Sequence, residues 1–283
     1  MKIALIFDQT RTDTIGNYFL RACKTLNLPH DHYPLQQLSA IPNGYTWYLR
    51  IDHGDDYIVE WPKQLRPASF YAIDTHLSHS WKKIQKTAAM YDSVFCCHRP
   101  AALVLPGAEW VPVACDPEIH GSAQRPERWD VGFIGTEGAI PRKFYLQALR
   151  ERYPKSFIGP ADYRQIGNLY AQSRIGFNYS INDDVNMRVF EVLAAGACLL
   201  TNALSHNDLD TLGLRDGEHL IVYRRGRRLF EQIDALLADP ARRMRVGQAG
   251  RSKVLDAHTY VHRLKRMLAL SASRFGWTHL TKE

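Results

Sequence analysis

Two charged side chains at the start of one amphipathic segment have the types and the spacing to bind a nucleoside diphosphate. Residues 183–197 read DDVNMRVFEVLAAGA, and Arg188 and Glu191 lie three residues apart in them. On a helix, two residues at this spacing lie on the same face, one turn apart. A guanidinium beside a helix N-terminus can hold a diphosphate, and a carboxylate one turn later can accept the two hydroxyls of a ribose. A plain surface ion pair has the same spacing, so the surrounding elements must decide.

A second phosphate-binding turn is predicted at residues 135–138, Gly-Thr-Glu-Gly. Backbone amides of such a turn, at Gly135 and Thr136, can approach a phosphate, and Arg142 and Lys143 follow near the start of a predicted helix. A simple strand-to-helix turn explains the glycines equally well. The two cations favour phosphate binding.

The elements around residues 183–197 predict a parallel sheet. Gly196 is expected to end the helix, and the apolar run 197–201 after it is expected to be a fully buried strand. The polar run 178–186 then lies between a strand and the following helix. Open parallel sheets bind their ligands at such strand ends.

The whole chain alternates predicted strands and helices in two series. The polar segment 116–129 contains prolines and has no apolar period, so we interpret it as a linker. We predict an α/β protein with a first domain at 1–115, a second domain at 130–257 and a C-terminal helix within 258–283. Two open parallel-sheet domains joined in this way leave a cleft between them.

Composition narrows the classes of function. The chain has 283 residues, of which 45% are hydrophobic and 23% charged, as in a soluble globular protein. It has no apolar run of membrane-spanning length, and its start does not read as a signal peptide. We therefore expect a cytoplasmic protein whose cysteines are reduced. The net charge of +7 comes mainly from C-terminal arginines without interleaved aromatics. We therefore expect no nucleic-acid binding and at most a weak attraction to anionic membranes.

Five segments carry a resemblance to a known family. They are residues 110–117 (WVPVACDP), 130–135 (DVGFIG), 170–178 (YAQSRIGFN), 186–196 (NMRVFEVLAAG) and 258–263 (HTYVHR). In this order they resemble the GT-B glycosyltransferases, most closely the group-1 proteins related to the spore-maturation protein CgeB. The resemblance covers most of the chain. It implies two Rossmann-like domains facing each other across the cleft, with the C-terminal helix packing back on the first.

The resemblance also implies a nucleotide-sugar donor in the second domain, and UDP is the nucleotide we expect. Glu191 then binds the ribose and Arg188 the phosphates, with the 135–138 turn and the two cations after it at the diphosphate. Many related enzymes have a sugar-binding glutamate eight residues before the ribose-binding one.

That sugar-binding position is Asp183 in this chain, one methylene shorter than glutamate. The shorter side chain leaves Asp184 and Asn186 as alternative contacts to the donor sugar.

The first domain is then expected to bind the acceptor and, for an inverting reaction, to supply a base. Asp74 and His76 follow the predicted strand 69–73, and either side chain could accept the proton of an acceptor hydroxyl. We place Asp74 before His76. Alternatively, Asp74 caps the next helix and His76 is an ordinary surface residue. Asp52 and His53 end another strand-like run and are the reserve candidates.

Asp8 and Gly16 bracket the first strand-to-helix loop and are expected to line the acceptor side. The acceptor itself stays open among a glycan, a lipid-linked sugar, a protein and a small molecule. Inversion against retention and the oligomeric state are also open.

No metal or other cofactor is expected. Asp208 and Asp210 match the bare Asp-x-Asp pattern that holds a cation in the other large glycosyltransferase class, but the two-domain organisation favours the metal-independent class. The histidine pairs lack a third ligand at a convincing spacing. We interpret the chain as a metal-independent, hexosyltransferase-type glycosyltransferase (EC 2.4). The alternatives are a nucleotide-sugar epimerase of the same architecture and an inactive nucleotide-sugar-binding protein.

Overall fold

The computed structural model describes residues 1–9, 12–52, 54, 59–122, 125–223, 226 and 228–277. The chain divides into two compact units. The first comprises residues 1–112 and the chain from Tyr260 onward, and the second comprises Val113–Thr259. In the described part of the chain, no helix is long and apolar enough to cross a membrane.

Strands and helices follow one another along both units. The strands are β1 (Ile3–Ile6), β2 (His30–Tyr33), β3 (Trp47–Ile51), β4 (Ala68–Ala72), β5 (Ser93–Cys96), β6 (Ala108–Trp110), β7 (Trp129–Ile134), β8 (Phe157–Gly159), β9 (Ser173–Asn178), β10 (Cys198–Asn202) and β11 (Ile221–Tyr223). The α-helices are α1 (Ile15–Thr25), α2 (Ser78–Ala88), α3 (Arg99–Val104), α4 (Pro117–His120), α5 (Arg142–Arg152), α6 (Ile166–Ala171), α7 (Met187–Ala195), α8 (Asp208–Thr211), α9 (Arg228–Ala238), α10 (Pro240–Ala257) and α11 (Tyr260–Phe275).

The first unit is a six-stranded sheet in the order β2-β1-β3-β4-β5-β6, and its paired strands are parallel. Its inner strands β1, β3, β4 and β5 are buried at every residue, because a parallel sheet is covered on both faces. Helix α11 belongs to this unit, since Tyr260 stacks on Tyr18 at 5.0 Å and meets Phe19 edge-on at 5.3 Å. The expected return of the C-terminal helix to the first domain is therefore confirmed.

The second unit is a five-stranded parallel sheet in the order β11-β10-β9-β7-β8. From β7 the chain first adds β8 on one side and then β9 on the other, so the strand order reverses between β7 and β9. In open α/β sheets, ligands bind outside the carboxyl ends of the strands at this reversal. In the first unit the same reversal lies between β1 and β3.

The segment 116–129 is not a plain linker, and the predicted domain boundaries shift accordingly. It begins with α4, whose N-cap Asp116 accepts a hydrogen bond from Glu118 N–H at 3.0 Å, and His120 is fully buried. The prediction failed because a proline suits the first turn of a helix, and a single buried histidine leaves no apolar period to detect. The segment belongs to the second unit, which begins at Val113.

Two elements of the first unit had no sequence prediction. Strand β2 reads HDHY and is only half-buried throughout, because it is the edge strand and carries no apolar alternation. Helix α3 has six residues and buries only Ala101, too little for a helical period to be recognised.

Candidate functional site

Arg188 lies at the strand reversal of the second unit and joins the two strands that flank it. Its Nε and Nη2 donate to the carbonyl oxygen of Ile134, the last residue of β7, at 3.1 and 2.9 Å. Its Nη1 donates to Oδ1 of Asn178, the last residue of β9, at 3.0 Å. The guanidinium lies 4.2 Å from the centre of the Phe133 ring. These contacts fix the group at the sheet edge where a ligand is expected.

A second guanidinium, that of Arg142, is held close by. Its Nε donates to Glu137 O at 2.9 Å and its Nη2 to Thr136 O at 3.2 Å. It lies 5.8 Å from the centre of the Phe133 ring, which Arg188 also contacts. Burial, followed by the positive charge of Arg188, holds the pKa of Arg142 below its ordinary value. The two cations therefore repel each other in a partly desolvated site.

Neutral oxygens alone hold these two arginines. Among the described residues, no carboxylate pairs with Arg188 or Arg142. Other arginines of this unit form ion pairs with carboxylates. Arg152 Nη2 lies 2.5 Å from Asp234 Oδ2, and Arg174 Nη1 lies 2.6 Å from Asp130 Oδ1. Two guanidiniums without a counter-ion can bind a ligand with two negative charges.

The 135–138 turn lies beside the guanidinium of Arg188. Gly135 has a φ of 134°, and a Cβ there would lie 2.7 Å from Arg188 Nη2, so a larger residue would displace the guanidinium. Thr136 is exposed, and Lys143 is exposed in the first turn of α5. The structure thus brings Gly135, Thr136 and Arg142 together with Arg188 and leaves Lys143 on the surface.

Glu191 lies one turn after Arg188 and is 13% exposed. Its Oε1 lies 3.9 Å from Nε2 of the buried His120, whose Nδ1 accepts from the Asp116 backbone N–H at 2.9 Å. Since Nδ1 is an acceptor, the neutral ring carries its proton on Nε2, facing Glu191. The sequence did not indicate His120, because the polar segment around it resembles a linker.

Tyr170 lies near both charged residues of α7. Its hydroxyl accepts from Ile134 N–H at 3.1 Å. Burial raises the pKa of Tyr170 to about 12, with Arg188 lowering it and Glu191 raising it. The phenol is therefore neutral at physiological pH and serves β7 as a hydrogen-bond acceptor.

The proposed sugar-contacting residues lie in the loop between β9 and α7. Asp183 has a φ of 53° and accepts from Asn202 Nδ2 at 2.7 Å. Asn186 precedes α7 and donates to Asn178 Oδ1 at 3.2 Å. Asp184 accepts from the Ser180 hydroxyl. Hydrogen bonds thus tie this loop to the ends of β9 and β10.

In the first unit, the predicted residues Asp8 and Asp52 follow β1 and β3, the strands at the order reversal. Asp8 accepts from Leu35 N–H at 3.1 Å and from Gln36 Nε2 at 3.2 Å. Asp52 is 1% exposed and lies 3.3 Å from Lys83 Nζ, so it forms a buried ion pair.

Gly16 in α1 packs tightly, because a Cβ there would overlap the Phe7 ring. The reserve candidate His53 lies outside the described residues.

Asp74 and His76 follow β4, as predicted. Asp74 is half-buried with a φ of 52°, and His76 is exposed. Asp74 does not cap α2, because that helix begins after Leu77 and has no side-chain cap. His76 meets the ring of His98 edge-on at 4.6 Å, and His98 Nδ1 lies 2.8 Å from Thr75 Oγ1. His98 is a neighbour of this candidate site that the sequence did not indicate.

Comparisons with known proteins agree with this geometry. Residues 116–269 match the family described as "Glycosyl transferase-like". No curated protein matches the chain in sequence.

Three solved structures share the fold. T4 phage BGT, in complex with its UDP-glucose substrate, has a TM-score of 0.61 at 13% identity and covers 97% of this chain and 99% of its own. Anabaena HepE, in complex with UDP and glucose, has a TM-score of 0.67 at 11% identity and covers 96% and 100%. Sucrose-phosphate synthase from Thermosynechococcus elongatus has a TM-score of 0.65 at 13% identity and covers 98% and 100%.

The two all-parallel units and these matches confirm the predicted GT-B fold. Since the matched family spans more than half of the chain, including the arginine site at the reversal of the second sheet, the chain belongs to the glycosyl transferase-like family.

Proposed function

We propose that this chain is a hexosyltransferase that moves a sugar from a UDP-sugar to an acceptor hydroxyl. The observation that carries the proposal is the pair Arg188 and Arg142, two partly buried guanidiniums held by neutral oxygens. A departing nucleoside diphosphate gains negative charge as the sugar leaves. Cations fixed in advance at that place stabilise the transition state more than the ground state.

UDP is supported as the nucleotide by the folds solved with it, since T4 phage BGT is described with UDP-glucose and Anabaena HepE with UDP. Glu191 binds the ribose hydroxyls in this proposal, one turn from the phosphate-binding Arg188. Asp183 or Asn186 contacts the donor sugar. The same proposal includes membership of the CgeB-related group. Family membership favours transfer over the epimerase and the inactive binder.

We propose that transfer needs no metal, because Arg188 and Arg142 supply the positive charge that a divalent cation supplies elsewhere. UDP release from the donor is then expected to be unchanged by EDTA. Loss of activity in EDTA with recovery on adding Mg²⁺ or Mn²⁺ would contradict this part. The buried free thiols of all five cysteines support a reducing compartment, and we propose the cytoplasm.

On the acceptor side, Asp74 is the proposed base for an inverting reaction, ahead of His76. Its place after β4, together with the absence of a helix-capping role, supports this assignment. A retaining reaction needs no such base. Glycans, lipid-linked sugars, proteins and small molecules all remain acceptors under the proposal.

A ligand-binding screen tests the donor site. UDP and UDP-hexoses are expected to raise the melting temperature, since a ligand that binds the native state stabilises it. Calorimetry should then give Arg188→Ala a UDP affinity lower by roughly 10- to 100-fold, the loss of one charge-assisted contact of about 1.5–3 kcal/mol.

The control is Arg152→Ala, which removes a surface arginine of the same unit that already pairs with Asp234. It should bind UDP as the wild type does. Unchanged UDP affinity in Arg188→Ala would refute the donor site. Slow UDP release from the donor without acceptor separates an enzyme from an inactive binder.

A further inference from the structure

Asn178 lies at the carboxyl end of β9, beside Arg188 and the strand reversal. It is 0% exposed. Its Oδ1 accepts from Arg188 Nη1 at 3.0 Å and from Asn186 Nδ2 at 3.2 Å. Its backbone oxygen accepts from the Tyr223 hydroxyl at 3.2 Å. A side chain enclosed and bonded in this way does not touch a ligand, so any role it has is exerted through its neighbours.

The orientation of the Asn178 amide is decided by its partners. A guanidinium only donates, so the atom that faces Arg188 must be the amide oxygen. The amide nitrogen then donates to Thr201 Oγ1 at 3.0 Å, and the Thr201 hydroxyl donates to Asn202 O at 3.3 Å. The hydrogen bonds therefore run in one direction, from Arg188 through β9 to the end of β10.

Charge explains why an amide suits this position. A carboxylate of the same shape would also accept from Arg188, but it would form a buried ion pair and cancel the charge of the guanidinium. The Asn178 amide positions the group while leaving its charge in place. Ile134, the other partner of Arg188, likewise contributes only a carbonyl oxygen.

We propose that Asn178 is a positioning residue that aims the Arg188 guanidinium and keeps its charge available for the diphosphate of the donor. The inference rests on the proposed function, since it assumes that Arg188 binds this diphosphate.

The test is calorimetry of Asn178→Asp with two probes, UDP and uridine. The added carboxylate pairs with Arg188, so UDP affinity should fall at least tenfold while uridine affinity stays within twofold. A purely structural role would weaken both probes alike, and that result would overturn the inference. So would a folded Asn178→Asp variant that binds UDP within twofold of the wild type.

Two further variants distinguish an effect that passes through Arg188 from an effect of the added charge itself. Gln165→Glu adds the same charge at an exposed position before α6 and should leave both affinities unchanged. In an Arg188→Ala background, Asn178→Asp should lower the UDP affinity by less than a further twofold, because its effect passes through Arg188. An undiminished tenfold loss there would mean that the new carboxylate repels the diphosphate directly, and it would refute positioning.

Two further outcomes are a variant that does not fold and a wild type that does not prefer UDP. If Asn178→Asp does not fold, Asn178→Ser removes the amide oxygen without adding charge, and the same separation of UDP from uridine is expected. If the wild type binds uridine as tightly as UDP, the proposed diphosphate site fails, and this failure is distinct from a failure of the Asn178 variants alone.

Discussion

Neutral oxygens hold the two arginines of the proposed donor site, whereas carboxylates hold several arginines on the surface of the same unit. Arg188 and Arg142 share the Phe133 ring, and the positive charge of Arg188 helps to lower the pKa of Arg142. An arginine stays protonated at physiological pH even so. The repulsion therefore persists in the ligand-free protein, and a bound diphosphate would relieve it.

A residue-scale prediction concerns the proposed base. Asp74→Asn keeps the shape of the side chain and tolerates the φ of 52°, but it cannot accept a proton. For an inverting reaction, steady-state kinetics should give a kcat lower by about 10²- to 10⁴-fold, with unchanged UDP affinity. Glu109→Gln, at an exposed residue of β6, is the control. Normal turnover in Asp74→Asn would exclude the carboxylate as the base.

At the scale of elements, α4 is held by its close approach to α6. A Cβ on Gly167 would lie 2.7 to 2.9 Å from the carbonyl oxygens of Ile119, His120 and Gly121. Glycine at this position therefore allows the two helices to touch, and α4 in turn carries His120 to Glu191.

We predict that Gly167→Ala destabilises the second unit by about 1–3 kcal/mol, because backbone atoms on both sides must move apart. Differential scanning calorimetry should show a melting temperature lower by several degrees. Gln165→Ala, exposed just before the same helix, should melt as the wild type does. An unchanged melting temperature in Gly167→Ala would mean that the contact between α4 and α6 is looser than described.

At the scale of the whole molecule, the first unit is assembled from both ends of the chain. Its C-terminal helix α11 buries Tyr260, Leu264 and Met267, and α1 supplies the stacked Tyr18. The first unit therefore cannot complete its core until the second has been synthesised.

A chain that ends at Thr259 is expected to lose the first unit and keep the second. Hydrogen exchange should show that the amides of β1, β3 and β4 lose protection, because α1 no longer has its covering helix. The amides of β7, β9 and β10 should stay protected and act as the internal control. Equal protection of both sheets would contradict the assignment of α11 to the first core.

The thiols give a second prediction for the whole molecule. All five cysteines are buried, and burial raises the pKa values of Cys23, Cys96 and Cys198 to about 12. Only the thiolate reacts, so a thiol reagent at pH 8 should modify the native protein slowly and the denatured protein at once. A cysteine that reacts in the native protein at the rate of a free thiol would contradict this burial.

The sequence by itself determined the local elements and their class. Apolar runs marked the buried strands β9 and β10, and Gly196, with a φ of 83°, ends α7 as expected. These predictions succeeded because burial leaves a period in the nearby chain. The GT-B fold followed from the order of the motifs, and the roles of Arg188 and Glu191 stay predictions.

Only the tertiary structure decided which side chains meet. The contact of Arg188 with Ile134 and Asn178 depends on β7 lying beside β9, although β8 intervenes along the chain. The apolar pattern of a buried strand shows that it is buried, but it does not show which strand lies beside it. For the same reason the contacts of His120 and Asn178 could not be predicted from the sequence. A polar residue that is buried by its partners resembles an exposed one until those partners are known.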